Sequence, residues 1–265
     1  TSFTVFTDSR LLLAHLQGFE LPFSENVIYI FEKQIEEAGL VVLNKADLLQ
    51  DDEIWDIKLL ANAAFPGKTI WLQDSTQTED VVRWLNLLEN GDHRLAVSPI
   101  EMDYQRYADG EMQLAWLDEE LLIDTGESGV RQVVTEIIGG IAARLTADEI
   151  PVGHLKFFIR TPNTSVKVSI TTLTDGSWQA GLKSMDGSQC RMLINARAEM
   201  APEELQTLVQ GVLDTCTNKT LARFEIVRAE ENRPPLRLDL RDEFAHQPRR
   251  LRVQPRSRLI QKQQR

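Results

Sequence analysis

Cysteine is nearly absent: the 265 residues contain two, Cys190 and Cys216. Two thiols cannot form a disulfide framework or a four-thiolate zinc site, and their scarcity points to a reducing cytosol. Long apolar runs are missing too. No stretch reaches the roughly 18 residues that a membrane helix needs, and no secretory leader pattern opens the chain, so a cytoplasmic location is expected and a membrane partner is not. Histidine is scarce at four residues. His15, His93 and His246 are isolated, with no cysteine or carboxylate at ligand spacing, and His154 fits a hydrogen-bonded structural role better than a ligand role. No metal site is read. No nucleophile-elbow sequence signals a serine hydrolase, and no carboxylate pair of glycosidase type can be read from linear order.

Basic charge is also in deficit. Lys and Arg number 29 against 40 Asp and Glu, a net of −11. Seven of the basic residues lie after Phe244 with no acidic one among them, which leaves the preceding body at −18. Such a body does not suit nucleic acid, whose phosphates need clustered cations. The tail, 236–265, is expected to be a solvated, disordered basic end. What remains is ordinary for a folded protein: 42% apolar and 26% charged residues, enough for one large domain or two ordinary ones.

The first ninety residues alternate strand-like and helix-like runs. Phe3 to Thr7 reads as a strand, followed by a helix capped by Asp8 or Ser9 and closed at Gly18. Ser24 caps a second helix with Ile28, Phe31 and Ile35 on one face, stopped near Gly39. Leu40-Val41-Val42-Leu43 is a continuous apolar run, the signature of a strand buried on both faces of a parallel sheet. A helix from Asp51, a strand from Thr69 to Leu72 and a helix behind a Thr76/Glu79 capping box, closed by Gly91, complete an α/β pattern. Near residue 95 the pattern changes. Met112, Leu114 and Trp116 alternate as in a half-buried strand. Val130 to Leu145 keeps helical spacing. Strand faces follow at Leu155/Phe157/Ile159, Val166/Val168/Ile170 and Met192/Ile194/Ala196, then a helix from Pro202 and a strand at Phe224/Ile226. One sheet with two helices on one face, ferredoxin-like with an added strand or hairpin, accounts for that order economically. Arg233-Pro234-Pro235 ends the region.

The informative motif is Asn44-Lys45-Ala46-Asp47, directly after the buried strand. Strand carboxyl ends are where open α/β sheets bind ligands. A carboxylate such as that of Asp47 can accept two hydrogen bonds from guanine, at the ring N–H and the exocyclic amine, a donor pair that adenine lacks. An unpaired carboxylate facing adenine is costly. Asn44 can bond the other edge of the base and tie neighbouring loops, while the Lys45 stem can lie along the base plane. The same residues also fit a plain helix-start turn capped by Asp47.

The wider stretch resembles the CobW-type P-loop GTPases, the class of metallochaperone and cobalamin-assembly GTPases. The likeness runs through Leu21-Pro22-Phe23-Ser24-Glu25-Asn26, the segment Phe31 to Ala38, and Val41 to Leu49. Gln73-Asp74-Ser75 lies where the family places its second guanine loop, and Ser75 matches that loop's serine. Pro151 to Lys156 resembles a segment of the family's C-terminal domain. The resemblance implies a fold of partial P-loop GTPase-like parallel sheet (1–95) followed by a smaller α+β, ferredoxin-like domain (96–235). It implies guanine binding by Asn44, Lys45, Asp47 and Ser75, with GTP or GDP as ligand. It implies GTP hydrolysis coupled to metal delivery or corrinoid assembly, with a client metalloprotein or corrinoid protein as partner. The phosphate loop is not in this chain. Gly67-Lys68-Thr69 has Asn62 where the first glycine should stand and Pro66 removing a donor, and it reads as a turn into a strand. The family's Cys-rich metal motif is absent too. With the chain opening at Thr1, directly in a strand, it is expected to be the C-terminal part of such a GTPase. Mg²⁺ is expected only with the missing segment, and no catalytic residue is assigned. The alternative is a non-catalytic interaction scaffold derived from such a protein.

Overall fold

A computed structural model describes residues 3–90, 101–126, 128–172 and 177–231. The tail after Pro235, Gly91, His93, His246 and the expected boundary at residue 95 lie outside them. The described residues belong to one compact unit, Thr1–Asn232, which carries two separate sheets.

The first sheet is parallel, in the order β1-β2-β3, with β1 Thr4–Asp8, β2 Leu40–Asn44 and β3 Thr69–Gln73. Helices α1 (Ser9–Leu16), α2 (Glu25–Glu37), α3 (Asp51–Ala64) and α4 (Thr78–Asn90) provide its connections and close it. β2 is the central strand, and its Leu40, Val41, Val42 and Leu43 are fully buried, as the continuous apolar run predicts. Val41 and Leu43 pack with Leu12 and Leu13 of α1, Ile35 of α2 and Ile57 and Ala61 of α3.

In the second half, α5 (Tyr104–Gln113) runs directly into β4 (Leu114–Asp124), followed by α6 (Val130–Ala147), β5 (Val152–Arg160), β6 (Ser165–Ile170), β7 (Gln189–Glu199), α7 (Pro202–Thr220) and β8 (Arg223–Glu231). The sheet is antiparallel throughout, in the order β6-β5-β7-β4-β8. β4 and β5 therefore run parallel with β7 between them, joined by α6. β7 and β8 run parallel with β4 between them, joined by α7. Val133, Ile137 and Ile141 of α6 share one core with Leu205, Val209 and Leu213 of α7 and with the inward residues of the strands, so both helices cover the same face. The region expected to be the smaller one carries the larger sheet.

Three local expectations are corrected. Met112 is helical, because α5 continues to Gln113 before the chain extends. Thr76 does not cap α4: its backbone N–H and hydroxyl both donate to Asp74 Oδ1, at 2.8 and 2.7 Å, and the helix begins at Thr78. Ser24 stands at the N-cap of α2, but its hydroxyl donates to Gln113 Oε1 at 2.9 Å and makes no capping hydrogen bond. The last difference reflects a second buried stripe on α2, Val27 and Ile30, which the one-face reading missed. It is buried because α5 lies close against it: a Cβ on Gly110 would come within 2.5 Å of the Asn26 carbonyl oxygen and 2.7 Å of Ile30 Cδ1. The same junction is held by the Asp103 N–H donating to Tyr29 Oη at 2.6 Å, by Arg106 over the Tyr29 ring at 4.7 Å, and by the Ser24 N–H donating to Glu199 Oε2 at 3.0 Å.

Candidate functional site

Parallel pairing fixes one row of residues at the carboxyl end of the first sheet. Asp8 on β1 lies opposite Asn44 on β2, and Asn44 lies opposite Gln73 on β3. The fully buried Ser9 donates its hydroxyl proton to the Asn44 carbonyl. Asn44 Oδ1 accepts from the Ser75 backbone N–H at 3.1 Å, and Gln73 Nε2 donates to Ser75 Oγ at 2.8 Å. Two of the sequence-selected residues, Asn44 and Ser75, are thus in direct contact, tying the loop after β2 to the loop after β3. Gln73 is 2% exposed, and its Oε1 accepts no hydrogen bond among the described residues. Buried acceptors are seldom left unmet.

Lys45 takes a left-handed backbone, φ 60° and ψ 37°, a conformation that costs a residue with a Cβ on the order of 1 kcal/mol. Its ammonium is held 2.9 Å from Asp8 Oδ2. Asp8 also accepts from Arg10 Nε at 3.2 Å and Arg10 Nη2 at 2.9 Å, and from the Arg10 backbone N–H at 3.1 Å as the cap of α1. Burial alone would raise the Asp8 carboxyl; the hydrogen bonds from Arg10 and Lys45 outweigh it and hold the group below the ordinary aspartate value. Next comes a single 3₁₀ turn, Ala46–Leu48. Asp47 sits on it with an exposed side chain that makes no hydrogen bond or ion pair among the described residues.

The second sheet contributes residues that the sequence reading did not connect to this loop. On the face away from α6 and α7, His154 lies opposite Arg197 and Lys156 opposite Asn195. His154 Nε2 is 2.6 Å from Asn195 Oδ1, and Asn195 Nδ2 donates to Asp118 Oδ1. Arg197 is paired with Glu111 at 3.0 Å and lies over Trp116. Burial pushes the His154 pKa down to about 4, reinforced by the charges of Lys156, Arg197 and Lys45. Lys156 is lowered by burial and then by Lys45. The Lys45 charge is therefore felt across the junction. No linear pattern signals this; the parallel register could have singled out Asp8 and Gln73, because they end the strands on either side of Asn44.

Lys68 is committed elsewhere. Its ammonium donates to the Glu36 and Ala38 carbonyls at 2.6 and 2.7 Å, closing the end of α2, and Gly67 turns into β3 at φ 81°. Cys190 and Cys216 are buried free thiols on β7 and α7, both pushed upward by burial. Among the described residues no group of three or more His, Cys, Asp and Glu side chains could hold a metal ion, and no helix is long and apolar enough to cross a membrane. No family model, curated protein or solved structure matches the chain.

Proposed function

We propose that the chain binds the base of a guanine nucleotide at the carboxyl end of its parallel sheet. The observation that carries this reading is Asp47: an exposed carboxylate with no partner among the described residues, on a turn whose neighbours are already fixed, Asn44 by Ser75 and Lys45 by Asp8. A free carboxylate on a rigid support suits the paired N–H donors of guanine, and preorganisation lowers the entropic cost of binding. Asn44 and Ser75 hold the two loops together, and the Lys45 stem flanks the ring.

The finer fold belongs to the same reading. The order β6-β5-β7-β4-β8 supports reading the second sheet as ferredoxin-like with β6 added at the edge, after a P-loop GTPase-like parallel sheet. On this view the chain is a cytoplasmic, CobW-type protein that takes GTP or GDP and couples hydrolysis to metal delivery or corrinoid assembly on a client protein. Lys68 and Gly67 serve the α2 end and the β3 turn, so no phosphate cradle is assigned to them. No residue of this chain is assigned to phosphate or Mg²⁺. That commitment of Lys68 also favours the second reading, a non-catalytic interaction scaffold that keeps base recognition alone.

Calorimetric titration of the chain with GMP and AMP tests the base site. GMP should bind and AMP should not. Asp47→Ala should weaken GMP by about 10- to 100-fold, as expected for hydrogen bonds to a charged group. Asp47→Asn should shift preference toward XMP, whose C2 carbonyl complements an amide donor. Equal affinity for GMP and AMP, or selectivity unchanged by Asp47→Ala, would refute the reading.

A further inference from the structure

At the end of β5 remote from His154, on the order of 20 Å along the strand, the second sheet opens into a cleft of about 640 Å³. Its size is within the ordinary range of small-molecule sites. Strand register places Arg160 directly opposite Arg191, and Arg191 directly opposite Leu122. Like charges facing each other across neighbouring strands destabilise a sheet. Arg191 is answered in part by Glu120, at 2.8 Å. Arg160 lies over the Phe158 ring at 5.3 Å, a ring it shares with Lys167 at 6.0 Å, and has no hydrogen bond or ion pair among the described residues. Arg223 enters from β8 opposite Asp124, likewise without a hydrogen bond or ion pair among the described residues. The Asp124 carboxylate instead accepts from the Gly126 N–H at 3.1 Å and from Gln189 Nε2 at 3.3 Å. Three guanidinium groups therefore line one cleft with the carboxylates of Asp124 and Glu225, beside the apolar surfaces of Leu122 and Pro162. The Arg223 charge is felt by Asp124, and Arg160 has no acidic partner among the described residues.

We propose that this cleft binds a small organic oxyanion, a phosphate- or carboxylate-bearing molecule whose charge is taken by Arg160, Arg191 and Arg223 and whose body lies on Leu122 and Pro162. The guanidinium fork matches the planar edge of either group with two parallel hydrogen bonds. The anion relieves the Arg160–Arg191 repulsion, so binding stabilises the sheet at the point where the protein alone leaves it strained. The inference is independent of the guanine reading and uses none of its residues.

Calorimetry and thermal unfolding of the full chain with pyrophosphate, with tricarballylate, and with potassium chloride at matched ionic strength test it. Saturable binding with a raised unfolding midpoint is expected for at least one of the two anions. Pyrophosphate alone identifies a phosphate ligand, tricarballylate alone a carboxylate ligand, and both together a shared oxyanion site. Arg160→Gln should weaken the bound anion by at least about tenfold while leaving the midpoint of the unliganded chain unchanged or higher. Arg223→Gln should weaken it likewise and serves if the first variant does not fold. The Asp47→Ala chain should bind the anion as the parent does, which separates this site from the guanine site. Responses no larger than those to chloride, or full affinity retained in both arginine variants, would overturn the proposal.

Discussion

Protonation of His154 is the perturbation with the best-defined cost. Its imidazole is half-buried and near Lys156, Arg197 and Lys45, and its pKa falls from 6.5 to about 4. A group whose charged form is disfavoured in the folded state binds its proton earlier in the unfolded state, so stability falls as pH drops below 6.5 and levels out below about 4. Each pH unit in that window is worth about 1.4 kcal/mol, so at pH 5 the loss is about 2 kcal/mol relative to neutral pH. For a chain of this size that is about 4–8 °C in unfolding midpoint. His154→Gln keeps an N–H donor for Asn195 Oδ1 and cannot titrate. Calorimetric unfolding of the parent and His154→Gln at pH 7.5 and pH 5 isolates the effect, since all other acid-sensitive groups are common to both. The variant should gain about 4–8 °C on the parent between the two pH values. An unchanged gap, or an imidazole NMR titration centred near the ordinary histidine value, would show that the ring is not enclosed by these cations.

The remaining predictions concern packing and the Asp8 ion cluster. Gly110→Ala should destabilise the chain by about 1–3 kcal/mol through overpacking, because the new methyl meets the Asn26 backbone. Gly139→Ala, whose nearest contact would be Trp178 at 3.8 Å, should be neutral or stabilising by up to about 1 kcal/mol; equal losses in chemical denaturation would refute the close α2–α5 approach. Asp8→Asn should flatten the acid limb of the stability profile. A carboxyl depressed by Arg10 and Lys45 stabilises the fold above its ordinary value near 3.8 and loses that contribution as pH falls through its lower folded value, so identical acid unfolding of parent and variant would count against the cluster.

Much of the fold was legible because it rests on local period. The run Leu40 to Leu43 announced a strand buried on both faces, and Val130 to Leu145 a helix with one wide apolar face. Errors arose where tertiary contact overrode local chemistry. Thr76 had a nearer acceptor in Asp74 than the α4 terminus, and Ser24 found Gln113 across the junction. Met112 alternates with Leu114 in sequence, yet a helix occupies the first of those positions and a strand the second. The motif residues Asn44, Lys45 and Asp47 were visible because four consecutive letters carry them. Asp8, Gln73 and His154 were not, because their link to the loop is made by strand register and by the approach of the second sheet, neither of which leaves a spacing in the chain.

The charge state of His154 also bears on how the guanine loop is held. Among the described residues Lys45 has one counter-charge, Asp8, which it shares with Arg10. Arg197 is spoken for by Glu111, whereas Lys156 adds a positive charge with no ion pair among the described residues on the same side. A neutral His154 keeps a further cation away from Lys45. A charged one would raise the potential at a lysine whose left-handed backbone is already strained. Acid should therefore loosen the Lys45–Asp8 pair before it titrates Asp8 itself. In a pH series of NMR spectra, the Lys45 amide should shift with a midpoint near pH 4 in the parent, and lose that step in His154→Gln.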